Sequence, residues 1–248
     1  MSESHLTNVE FRQFDLPESV LQAIDEAGFR YCTPIQANAL PLALQGRDVA
    51  GQARTGSGKT AAFAVAMLAH LLNHEPPANH SPGQPRALVL VPTRELAIQV
   101  HKDTETLSRG TGLKVGLAYG GTDYQKQRES LEAGIDILIG TPGRIIDYFK
   151  QKVFTLKSIQ AVVLDEADRM FDLGFIKDIR FLLRRLPPPD QRLSQLFSAT
   201  ISYRVLELAY EHMNNPELVQ VEEEPVTVEH VKQTVYYPAN DEKIPLLL

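Results

Sequence analysis

The 248 residues read as one α/β domain, a mostly parallel central sheet of about seven strands with helices on both faces. Three observations lead there. From residue 48 onward, short apolar runs alternate with stretches of helical period. The runs are apolar at consecutive positions, so each strand must be covered on both faces, as strands of parallel sheets are. The first run passes through a glycine-bearing turn directly into an apolar helix, a strand–turn–helix junction typical of such sheets.

The elements follow in order. Residues 1–16 are polar with scattered aromatics, Phe11 and Phe14, and read as an arm. Val20, Leu21, Ile24 and Ala27 repeat with helical period over 17–27, and Gly28 stands where a C-cap belongs. Thr33-Pro34 opens a second helix, threonine as cap and proline at the first helical position. Strands are expected at 48–52, 87–91, 115–119, 135–139, 161–164, 195–197 and 218–221. Helices are expected at 59–72, 95–107, 145–150, 176–186 and 205–213. The stretch 73–86 holds Pro76, Pro77, Pro82 and Pro85 and reads as a surface loop, and Pro187-Pro188-Pro189 stops the preceding helix. Residues 17–221 form the expected domain, and 222–248, opening on Glu222-Glu223-Glu224-Pro225, read as a linker.

Composition narrows the class. A single cysteine, Cys32, excludes an intrachain disulfide and fits a reducing compartment. The longest nearly apolar run, 61–72, is too short for a membrane span, and the first residues have neither the basic nor the apolar region of a secretory signal. A cytoplasmic protein without membrane partners is expected. The net charge of −6 weighs mildly against a nucleic-acid binder, whose domain is often strongly basic.

Ala53-Arg54-Thr55-Gly56-Ser57-Gly58-Lys59-Thr60 lies between a strand and a helix, the context a phosphate-binding loop requires. Its glycines let successive N–H groups turn toward phosphate oxygens, and the helix start adds partial positive charge. Lys59 can reach the β- and γ-phosphates, and Thr60 can ligate Mg²⁺. The usual pattern carries glycine where Ala53 stands. Farther on, the apolar run Ala161-Val162-Val163-Leu164 ends in Asp165-Glu166-Ala167-Asp168. Such a site needs an acid on a neighbouring strand for hydrated Mg²⁺, and Asp165 fits that role. Glu166 is placed to orient the attacking water as a general base.

Pro92-Thr93-Arg94, Gly120-Gly121 and Thr141-Pro142-Gly143-Arg144 each follow a predicted strand and so share the carboxyl edge, where open α/β sheets bind ligands. Backbone N–H groups there, with Arg94 and Arg144, suit phosphates, and Gly120-Gly121 allows close approach. None of these motifs carries an aromatic for base stacking, which points to a sequence-independent backbone grip.

The Asp-Glu-Ala-Asp sequence, with the phosphate loop upstream and Ser198-Ala199-Thr200 downstream, resembles the DEAD-box family of ATP-dependent RNA helicases. Gly28-Phe29, Thr33-Pro34-Ile35-Gln36, Pro92-Thr93-Arg94-Glu95-Leu96, Gly120-Gly121 and Thr141-Pro142-Gly143-Arg144 match its other motifs in order. The resemblance covers about residues 11–221 and implies a RecA-like fold. Ala53 is the usual residue of that family at its position. The resemblance implies that Phe29 stacks on adenine while Gln36 reads its N6 and N7 edge, that the three loop motifs hold single-stranded RNA, and that Asp168, Ser198 and Thr200 couple the γ-phosphate state to RNA. It implies ATP and Mg²⁺ as cofactors and hydrolysis coupled to local strand separation or protein displacement. It also implies a second RecA-like domain, absent from these residues, which supplies arginine fingers. The chain is accordingly expected to be a fragment with little activity alone. Similar bacterial helicases imply a partnership with endoribonuclease E in the RNA degradosome. Two other readings stand beside this one: an ATP-dependent RNA clamp without processive unwinding, and a DNA-directed motor of the same superfamily.

Some signals carry little. His70 and His74 lie four apart on a helix without a third ligand at metal spacing. Asn79-His80-Ser81 matches a glycosylation acceptor in a chain with no secretory signal.

Overall fold

The computed structural model describes residues 6–221 apart from 79, 82, 83, 122 and 123. The first five residues of the expected arm, the expected linker 222–248 and Asn79 therefore lie outside the described residues. Seven strands form one sheet: β1 (Val49–Gln52), β2 (Ala87–Leu90), β3 (Val115–Ala118), β4 (Ile137–Gly140), β5 (Ala161–Asp165), β6 (Leu193–Ser198) and β7 (Glu217–Gln220). Their spatial order is β3-β4-β2-β5-β6-β1-β7, and every pairing is parallel.

The consecutive apolar residues of each strand divide between two cores. In β2, Ala87 and Val89 point into one core and Leu88 and Leu90 into the other. The same split runs through β4 (Ile137 and Ile139 against Leu138) and β5 (Ala161 and Val163 against Val162 and Leu164). The first core is closed by α1 (Glu18–Glu26), α2 (Pro34–Leu44), α3 (Lys59–Asn73) and α4 (Arg94–Leu107). The second is closed by α6 (Pro142–Lys150), α8 (Ile176–Leu183) and α9 (Tyr203–His212), with smaller parts from α5 (Tyr124–Glu132) and α7 (Ala167–Asp172). Helix α3 is buried on all sides from Ala61 to Ala69. Its many alanines let α2, α4 and the sheet all approach it closely, which is why its apolar residues show no single stripe.

Two helices were not expected from periodicity. Helix α5 buries only Leu131, so it carries no apolar stripe to read. Helix α7 is six residues long, too short for a period. The reading of Asp165 as lying on a strand next to the phosphate loop also needs correction. β6 runs between β5 and β1, so Ser198 at its end stands between the acids and the loop.

Candidate nucleotide site and nucleic-acid edge

Because all strands run one way, every candidate motif that follows a strand falls at one edge of the sheet. The order then sorts them. Strands β5, β6 and β1 bring the acids, the Ser198–Thr200 segment and the phosphate loop side by side. Strands β3, β4 and β2 carry the Gly120, Thr141 and Pro92 motifs on the other half. The two sets touch where β2 meets β5.

The phosphate loop leaves β1 at Ala53, whose N–H donates to the Ser198 carbonyl at 2.9 Å. Gly56 (φ +85°) and Gly58 (φ +89°) hold left-handed turns that L side chains rarely adopt. A Cβ on Gly58 would lie 2.5 Å from Gln36 Nε2 and 2.9 Å from Thr33 Oγ1, so the start of α3 is packed directly on the start of α2. Ser57 Oγ donates to the Arg54 carbonyl at 2.8 Å and closes the turn. Thr60 is the second residue of α3, among the helix's unpaired N–H groups.

Lys59 does not face solvent. Its Nζ lies 2.9 Å from Asp165 Oδ1 and 3.7 Å from Glu166 Oε1, and Lys59 and both acids are buried. Burial pushes the Asp165 carboxyl above its usual range, and the Lys59 ammonium works against that rise. Asp165 Oδ1 also accepts the Glu166 N–H at 2.9 Å. Its second oxygen, Oδ2, is buried with no hydrogen-bond partner among the described residues. A buried, unsatisfied carboxylate oxygen is costly unless something else satisfies it. The chemistry suits a Mg²⁺-bound water, so the residues present fit that ion. No cluster of three or more His, Cys, Asp or Glu able to hold a metal exists among the described residues. Thr60, water and phosphate oxygens would have to complete the shell.

Glu166 has a left-handed backbone (φ 53°, ψ 52°), a conformation that costs a non-glycine residue about 1–2 kcal/mol. Both its oxygens are held. Thr55 Oγ1 donates to Oε1 at 3.2 Å, and Arg169 Nη1 donates to Oε2 at 3.3 Å. Arg169 was not foreseen as a site residue. Its signal was its place one helical turn after Glu166, which alone says nothing about where a strained side chain points.

Gln36 is buried and already tied at both ends. Oε1 accepts the Thr33 N–H at 2.8 Å, half of a capping box, and Nε2 donates to the Gly58 carbonyl at 2.9 Å. The side chain therefore links the start of α2 to the phosphate loop, and one N–H and one lone pair remain for a base. The Thr-x-x-Gln spacing carried this capping signal, unused at the sequence level. Phe29 is 36% exposed, so its ring is no core residue. It lines a cleft of about 490 Å³ together with Phe11, Gly28 and Arg30.

Asp168, Ser198 and Thr200 meet. Ser198 Oγ accepts the Asp168 N–H at 3.1 Å, and Asp168 Oδ2 accepts both the N–H and the hydroxyl of Thr200 at 3.0 Å. Burial would raise the Asp168 carboxyl, but hydrogen bonds from Thr200 and Ser198 outweigh it and hold the group below its usual range.

On the other half of the edge, Thr93 caps α4 by accepting the Leu96 N–H at 3.3 Å, and Thr141 with Pro142 opens α6 without a side-chain capping bond. Gly143 follows in the first turn of α6 with open space where a Cβ would stand, and Pro92 precedes the Thr93 cap. Arg94 Nη1 donates to the Gly121 carbonyl at 3.3 Å, across from its own helix. Gly121 has φ +83°, and Gly120 has open space around it. The motifs themselves carry no aromatic, but the fold brings tyrosines from outside them against their arginines. Arg94 stacks over Tyr119, and Arg144 over Tyr124 and Tyr148.

Comparison with known proteins agrees with this geometry. The DEAD/DEAH box helicase family model matches residues 33–209. A protein of Aeromonas hydrophila subsp. hydrophila described as ATP-dependent RNA helicase RhlB is 59% identical over all 248 residues. A protein of the same description from Serratia proteamaculans is 59% identical over 247. The chain spans 58% of the length of each of these relatives. Among solved structures, a DEAD box protein from Methanococcus jannaschii superposes with a TM-score of 0.76 at 34% identity, over 96% of this chain and 62% of that one. A hypothetical ATP-dependent RNA helicase from Sulfolobus tokodaii gives 0.73 at 36% identity, over 83% and 57%. With the family's motifs gathered along one sheet edge and the match covering most of its length, the chain belongs to the DEAD/DEAH box helicase family.

Proposed function

We propose that this chain is the ATP-binding, RecA-like part of an ATP-dependent RNA helicase, with the domain spanning residues 17–221, an arm before it that buries Phe11 and Leu16 in the domain's first core, and a linker after it toward a second such domain. The observation that carries the reading is the buried contact of Lys59 with Asp165, next to the Asp168–Ser198–Thr200 bonds. Lys59 and the N–H groups of residues 54–60 bind the phosphates. Thr60 and Asp165 hold Mg²⁺, the latter through water. That ion, when bound, neutralises charge on the phosphate oxygens. Glu166, with both oxygens fixed by Thr55 and Arg169, orients the attacking water and accepts its proton. Phe29 stacks on adenine and Gln36 reads its edge.

Asp168 bridges two strands' ends, so a change at the acids reaches Thr200 without passing through the core. The loops at Pro92–Arg94, Gly120-Gly121 and Thr141–Arg144 hold the phosphates of single-stranded RNA. This local grip accommodates an acidic domain, because a few aimed donors matter more than total charge. The family resemblance extends the proposal to a cytoplasmic role in RNA degradation beside endoribonuclease E.

The test is RNA-stimulated phosphate release by the full-length protein with RNA and DNA strands of one sequence, together with duplex displacement. Stimulation by RNA and displacement support the reading. Stimulation by DNA alone makes it a DNA motor, and ATP-dependent retention of RNA without displacement makes it a clamp.

A further inference from the structure

Arg144 is held by two tyrosines, and the structure assigns Tyr124 and Tyr148 as positioning residues that aim its guanidinium at an RNA phosphate. The inference rests on the RNA reading above.

The guanidinium lies 4.9 Å from the centroid of the Tyr124 ring and 5.5 Å from that of Tyr148. The two rings are themselves 4.8 Å apart, so they form one surface with the arginine across it. Arg144 Nη1 donates to Tyr148 Oη at 3.3 Å, and that hydroxyl donates to the Tyr124 carbonyl at 2.9 Å. Tyr148 is fully buried, so it cannot follow the arginine if the arginine moves. Arg144 and Tyr148 stand four residues apart on α6, and Tyr124 arrives from the start of α5. The bond from Tyr148 to the Tyr124 carbonyl ties α6 to the start of α5, and Gln151 Nε2, just past α6, donates to Tyr124 Oη beside it.

The kind of partner matters as much as the geometry. Other arginines of this domain are neutralised: Arg128 by Glu132, Arg169 by Glu166, and Arg180 by Glu211. Arg144 has no carboxylate partner among the described residues. Rings and a hydroxyl fix its position while leaving its full charge, and several of its N–H groups, for an anion. A free arginine loses rotamer freedom when it binds phosphate, and one already stacked has lost it beforehand. Helix α6 starts at the carboxyl edge beside the Gly120-Gly121 turn, so Arg144, in its first turn, stands beside the track proposed for RNA phosphates.

The test measures binding of a labelled single-stranded oligouridine to the full-length protein across a salt series. Arg144→Ala should weaken binding and flatten the salt dependence by about one unit of slope, since one phosphate contact is lost. Tyr124→Leu should weaken binding about threefold to tenfold with the slope unchanged, because the charge remains and only its positioning is lost. Tyr124→Phe should bind as the wild type does, because the ring face is kept. Tyr124→Leu added to Arg144→Ala should cost nothing further. Thermal midpoints of the variants report folding, and Tyr124 is the position of choice because it is only half-buried whereas Tyr148 lies in the core. Wild-type affinity for Tyr124→Leu, or an equal loss in the Arg144→Ala background, overturns the positioning role. Unchanged affinity and slope for Arg144→Ala alone shows instead that Arg144 meets no RNA phosphate, and overturns the part of the RNA reading that rests on this loop.

Discussion

The ammonium of Lys59 and the carboxylate of Asp165 form a buried ion pair at 2.9 Å, joining the phosphate loop to a strand that is not its neighbour in the sheet. Lys59 therefore compensates a buried acid, and the phosphate role proposed for it requires that it share its charge between that acid and the nucleotide. A buried pair is dear to break from one side because the remaining charge is left alone.

Lys59→Ala should lower ATP affinity roughly tenfold to a hundredfold, the worth of a hydrogen bond to a charged group. It should also destabilise the fold, because Asp165 loses its counter-charge. The double variant Lys59→Ala, Asp165→Asn should recover stability without recovering nucleotide binding. Urea denaturation and nucleotide titration separate the two effects. Equal stability of the single and double variants would show that the unpaired Asp165 carboxylate is not what destabilises the single variant.

Glu166→Gln in the full-length protein should keep ATP and RNA binding but stop turnover. An amide oxygen can still accept from Thr55, so the loop stays in place, while the proton acceptor is gone. RNA should then remain bound longer in ATP. Phosphate release close to the wild-type rate would remove Glu166 from the role of base.

Gln36→Ala should act twice. Losing a cap bond and the bond to Gly58 should cost about 1 kcal/mol of stability. Losing the base contact should narrow the preference for ATP over GTP by about 1–3 kcal/mol. Competition binding with both nucleotides checks the second effect, and an unchanged preference would move adenine selection elsewhere.

Acid should weaken the fold through His70. Burial, then the charges of His74 and Arg86, lower its pKa from 6.5 to about 4. The unfolded chain therefore takes up a proton that the folded chain refuses between those values. Stability should be full above about pH 6.5 and fall as pH drops toward about 4, by roughly 2–3 kcal/mol from this group. His70→Leu should show a shallower decline between pH 7 and 5 in chemical denaturation. A decline as steep as the wild type's would assign the effect to other groups.

What the sequence determined by itself was the candidate site residues and the order of the elements. Runs such as Ala87–Leu90 and Ile137–Gly140 are apolar on both faces, and a parallel sheet is the form that buries both. Gly58, Lys59, Asp165 and Glu166 were legible as candidates because phosphate and hydrated magnesium restrict which residue types can serve, and these follow strands β1 and β5. Boundaries shifted by up to three residues, and α5 was invisible because a helix burying only Leu131 leaves no period. Only the tertiary structure decided which strand lies beside which. Sheet order is set by the packing of whole crossovers, not by local pattern, and it placed β6 between the loop and the acids. It alone brought Arg169 to Glu166, Gln36 to Gly58, and Tyr124 to Arg144. Each contact needs a side-chain direction or a second element, and neither is written in the spacing of residues along one chain.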